Sequence, residues 1–101
     1  MSTLLRLTLI FPPALEPAIT AVLISEPRCP GFTLFDAEGH TGDFESASTI
    51  ELVLGHVRRR VLWMVLDAQH GDAVLDLLRE RIHSRQVRWW LEPVLNEGHL
   101  A

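Results

Sequence analysis

The chain has no tyrosine, no lysine and a single cysteine. The lone Cys29 excludes an internal disulfide and any Cys-x-x-Cys metal or redox site. With lysine absent, all nine basic residues are arginines, set against 13 Asp and Glu for a net charge of −4. That mild acidity argues against a nucleic-acid binder working by bulk charge. No apolar run approaches the ~20 residues of a membrane span, so no membrane insertion is expected. The N-terminus lacks a charged region before its apolar part and lacks a small-residue cleavage site. A soluble cytoplasmic protein is therefore expected. Nucleophile elbows, phosphate-binding loops and dinucleotide fingerprints are also missing, and no catalytic residue is assigned.

What is present is apolar. The hydrophobic fraction is 48% and the charged fraction 22% over 101 residues, which excludes disorder and predicts one domain spanning residues 1–101. So apolar a short chain points to a subunit interface that hides the surplus. Leu4–Phe11 alternates as a strand, with Leu5, Leu7, Leu9 and Phe11 on one face, and Pro12-Pro13 ends it. A helix follows over Leu15–Ser25, its stripe formed by Leu15, Ile19, Val22 and Leu23; Pro17 is tolerated in its first turn. Gly31–Phe35 reads as a second strand. Val57–Leu66 reads as a third, central because both its faces are apolar from Val61 onward. Residues 67–72 read as a turn, with Asp67 or Asp72 capping a helix that runs to about Ser84. Val87–Pro93 is the last strand, before a tail over 94–101.

This order, βαββαβ, is the α+β ferredoxin-like arrangement, a four-stranded antiparallel sheet with both helices on one face. The bare face would draw on Arg6, Thr8, Arg58, Arg60, Leu62, Met64, Arg88, Trp90 and Glu92. Apolar groups among them call for self-association. Residues 36–49 interrupt the pattern with no usable hydrophobic period, and Ile50–Leu54 fits a helical turn or a strand extension equally. A long polar connection in a compact domain is usually functional or a linker, and the flanks offer no second domain to link.

Several short elements in order resemble the PII-like superfamily, and more narrowly a small PII-like family. They are Pro12-Pro13-Ala14-Leu15-Glu16, Gly31-Phe32-Thr33, Gly39-His40, the run from Gly55 through Arg58, Arg59 and Arg60 to Val61, and Trp90-Leu91-Glu92-Pro93-Val94. The resemblance implies a homotrimer whose three sheets enclose a central barrel. It makes the segment at about 36–49 the counterpart of the mobile T-loop, which responds to a small effector at subunit clefts and then touches a target protein. Genes of the narrower family tend to sit beside heavy-metal efflux systems, which implies a role in metal homeostasis and an efflux component or regulator as partner. Where PII proteins carry a Gly-Asp-Gly-Lys-type turn for ATP phosphates, this chain reads His83-Ser84-Arg85-Gln86-Val87. The tyrosine that is uridylylated in PII has no counterpart.

Two chemistries remain open on the residues themselves. His40 with Asp36, Glu38, Asp43 and Glu45 makes an imidazole–carboxylate set suited to zinc, nickel, cobalt or copper(II), with His56 and His99 as further ligands. The alternative is a solvated acidic loop. Arg58, Arg60 and Arg88 suit a phosphate, nucleotide or carboxylate, since guanidinium forks match such oxyanions; the alternative is pairing with Glu92, Glu51 or loop carboxylates across the trimer interface. Trp63, Trp89 and Trp90 read as core and interface anchors. The function expected is a non-enzymatic PII-like sensor. A metal buffer without a signalling partner and a small cleft enzyme using His56 or His70 are the alternatives.

Overall fold

A computed structural model describes residues 3–40 and 57–101. The Leu-rich N-terminal run forms β1 (Leu4–Phe11), and Pro12 ends it before a 3-10 turn over Pro13–Leu15. Helix α1 (Glu16–Ser25) carries Pro17 in its first turn and buries Ile19 and Leu23. Its end is fixed by Glu26, whose carboxylate accepts from the Arg28 backbone N–H at 3.1 Å and from Arg28 Nε at 2.6 Å. That guanidinium lowers the Glu26 carboxyl to about 2. Strands β2 (Thr33–Gly39) and β3 (Val57–Asp67), helix α2 (Ala68–Arg81) and β4 (Arg88–Val94) complete the βαββαβ order.

The sheet order is β2-β3-β1-β4, antiparallel throughout, so β3 and β1 are the central strands. Both helices pack on one face. Ile19 and Leu23 of α1 and Val74, Leu75 and Leu78 of α2 close over Leu7, Leu9 and Phe11 of β1 and Leu62, Met64 and Leu66 of β3. No helix among the described residues is long and apolar enough to cross a membrane.

Three expectations are corrected. Strand β2 continues to Gly39, so Asp36 and Glu38 belong to a strand paired with β3 rather than to the polar connection. The turn expected at 67–72 is helix: α2 starts at Ala68, whose N–H donates to the Thr3 carbonyl at 2.9 Å. Asp67 stands at the N-cap without a side-chain cap bond, and Asp72 lies inside the helix. Gly71 is buried there, and a Cβ on it would lie 3.4 Å from Leu5 Cδ1, so the helix settles closely on the sheet.

The third correction concerns the faces of β3. Leu62 and Met64, expected on the bare face, are 0% and 1% exposed beneath the helices. Register decides this: Leu9 pairs with Leu62 and Thr8 with Trp63, and directly opposed residues share a face. The open face therefore carries Val61, Trp63 and Val65 from β3 beside Arg6, Thr8 and Ile10 from β1. Arg6 covers the Trp63 ring at 4.2 Å and Phe35 meets that ring edge-on at 4.8 Å. Glu92 accepts from Arg6 Nη2 at 2.8 Å and from Trp90 Nε1 at 2.9 Å, and Arg6 holds its carboxyl below the usual carboxylate range. Thr8 is 1% exposed at the centre of this array.

Candidate functional site

Asp36, His40, Arg58 and Arg60, four of the residues singled out for function, lie where β2 ends and β3 begins, at the root of the connection between them. Alternation along β3 sends Arg58 and Arg60 to the helix-bearing face, and the register sets Asp36 opposite Arg60 and Glu38 opposite Arg58. Each carboxylate thus faces a guanidinium across the strand pair, the opposite-charge arrangement that favours such a pairing. A Cβ on Gly39 would stand 3.0 Å from Val57 Cγ2, so any other residue there would press on the Val57 side chain.

Arg60 is the hub. Its Nε donates to Glu16 Oε1 at 2.5 Å and its Nη1 donates to Asp36 Oδ1 at 2.9 Å. Glu16, followed by Asp36, raises the guanidinium pKa above its ordinary value. One side chain therefore ties the first residue of α1, the central strand and the outer strand β2 together. Beyond it, His40 Nε2 lies 3.5 Å from Glu38 Oε2, and Arg59 Nη1 donates to the Arg58 carbonyl at 2.8 Å.

Of the metal set, Asp36 is held by Arg60 and His40 lies beside Glu38. Asp43 and Glu45 lie outside the described residues, as do His56, Glu51 and Ile50–Leu54. Among the described residues no three His, Cys, Asp or Glu side chains gather as a metal-binding group. Of the anion set, Arg58 and Arg60 sit on the helix-bearing face. Arg88 lies opposite Ile10 on the open face, so a single subunit does not bring the three together.

Within one subunit, Arg60 takes Asp36. Glu92 does hold an arginine, but it is Arg6. Glu16 is the member that sequence reading missed. It stands in the Pro12–Glu16 element, yet nothing in the spacing of 44 residues joined it to Arg60. Cys29 is half-buried against the core, and burial pushes its thiol pKa up, the reverse of what a nucleophile needs.

The model of a family described as "Protein of unknown function (DUF3240)" matches residues 1–101. No curated protein matches the chain. Among solved structures, a DUF3240 family protein from Shewanella baltica OS155 superposes over 100% of both chains with a TM-score of 0.81 at 23% identity. Arabidopsis thaliana PII bound to citrate superposes over 92% of this chain and 78% of its own, with a TM-score of 0.68 at 16% identity.

Proposed function

The chain belongs to the DUF3240 family and has a PII-like fold, and from that premise we propose that it is a small non-enzymatic sensor that binds an effector and signals through the T-loop counterpart that follows β2. The observation that carries this reading is the Arg60 hub. A ligand that competes for Asp36 or for Arg60 at the root would release β2 from α1, and ordering or release of a segment by a ligand is a common switching mode.

The effector proposed first is a divalent transition metal, zinc, nickel, cobalt or copper(II), held by His40 with Asp36, Asp43 and Glu45. Imidazole and carboxylate together suit these ions. A small anion or nucleotide at Arg58, Arg60 and Arg88 is the second reading. It is favoured by the guanidinium chemistry and by the citrate held in the Arabidopsis relative of this fold. Because one subunit separates Arg88 from the other two, that second site needs neighbouring subunits in the homotrimer that we also propose. The target is proposed to be an efflux-system component or regulator in the cytoplasm.

Calorimetric titration of metal-free protein with each of the four ions, repeated on His40→Ala, tests the metal reading. Binding at about micromolar affinity or tighter, weakened by at least about tenfold on losing a ligand, is the expected result. Absence of heat with every ion removes the metal reading and directs the search to anions at the arginines.

A further inference from the structure

A cleft of about 270 Å³ opens on the helix-bearing side of the sheet, beside the loop between α2 and β4. It lies within one subunit, away from the Arg60 root. Its floor is core: Leu9, Ile19, Leu75 and Leu78 are between 0% and 7% exposed. Its wall is Ile82, Val87 and Trp89, the last 43% exposed. Its rim is basic, formed by Arg79, His83 and Arg85. An apolar slot with a few polar groups at its mouth is the usual form of a small-molecule site.

The two arginines of the rim differ in what they already hold. Arg79 is already engaged, donating to Asp76 Oδ1 at 3.0 Å and lying 5.2 Å over the Trp89 ring. Arg85 makes no hydrogen bond or ion pair among the described residues, so it is the guanidinium available to a ligand. Two backbone donors of the loop are taken. Gln86 N–H donates to Ser84 Oγ at 3.2 Å and Val87 N–H to the Ser84 carbonyl at 3.4 Å. His83 turns the chain there in the left-handed region at φ 45°, a conformation that is uncommon outside glycine and is worth noting at a ligand mouth.

We propose that this cleft binds a small organic carboxylate with a compact aromatic or apolar body, the body lying against Trp89 and the core floor and the carboxylate meeting Arg85. The site takes apolar bulk with a single negative charge, a class that neither citrate nor a nucleotide represents. It does not depend on the sensor reading above.

The test is a proton–nitrogen NMR titration of the full chain with 1-naphthoate. Saturable shifts centred on Leu75, Ile82, Val87 and the Trp89 indole N–H are expected. Arg85→Glu weakens the probe by at least about fivefold, as does replacing the carboxylate by the alcohol of 1-naphthalenemethanol, because each removes the same charge pairing. Arg81→Glu, also on an exposed residue near the end of α2 but outside the cleft lining, leaves the affinity within about twofold. The site is overturned if the shifts fall elsewhere or fail to saturate, if the alcohol binds as well as the acid, or if Arg85→Glu binds normally. A second copy of the chain filling the cleft would block the probe altogether and overturn it equally.

Discussion

At the scale of single residues, Thr8 is the conspicuous one. It sits mid-strand on the open face between Trp63 and Trp90, and among the described residues its buried Oγ1 has no hydrogen-bond partner. Leaving a buried hydroxyl unmet costs about 1–3 kcal/mol, whereas valine keeps the shape and the strand preference without the polar atom. Thr8→Val is therefore expected to stabilise the chain by about 1 kcal/mol, seen as a higher urea midpoint at unchanged slope. A lower midpoint would mean that the hydroxyl is satisfied in solution. Arg60 is the opposite case, a polar group gripped by two carboxylates. The carboxylates that hold it come from two different elements, so its loss is felt beyond its own strand.

At the scale of elements, that loss has a definite place. Arg60→Ala should unclasp the outer strand from α1, so hydrogen exchange at the amides of Asp36–Gly39 speeds up while that of Leu5–Leu9 is unchanged. Equal acceleration in both strands would show a general loss of stability instead. The elements themselves were largely legible in the sequence. β1 alternates cleanly between a leucine face and a mixed face, and α1 is bracketed by prolines, so both came out within a residue or two. The misses have physical causes. Both faces of β3 are apolar, so the pattern could not say which one meets the helices; the pairing of Leu9 with Leu62 decides it. Asp36-Ala37-Glu38 looks like loop because its outward partners are arginines on a neighbouring strand, a match that only tertiary pairing reveals. Asp67-Ala-Gln-His-Gly-Asp72 has the composition of a turn, but Gly71 is buried inside α2, where packing of the helix on the sheet overrides the local preference. Of the candidate site, Arg60 and Asp36 could be named individually, while Glu16 and the separation of Arg88 from Arg58 and Arg60 could not.

At the scale of the whole molecule, the open sheet face governs behaviour. It presents Trp63 and Trp90 at 40% and 38% exposure beside Phe35, Val61 and Val65. A small domain with this much apolar surface on one side is expected to cover it with further copies of itself. Val65→Glu places a carboxylate on that face opposite Arg6, where a single subunit tolerates it. It should leave the circular dichroism unchanged while lowering the mass measured by light scattering to that of one chain. Leu62→Ala, under the helices, should do the reverse, costing about 2–5 kcal/mol of stability with the assembly retained. An unchanged mass for Val65→Glu would show that the copies meet elsewhere. The placement of the indoles has a further use. With no tyrosine in the chain, its ultraviolet emission belongs to three tryptophans, two on the open face and Trp89 on the opposite one beside α2. An aqueous quencher such as iodide reaches all three in a lone subunit, and burial of the open face would withdraw two and leave the third. The chain therefore carries its own optical gauge of which side is covered.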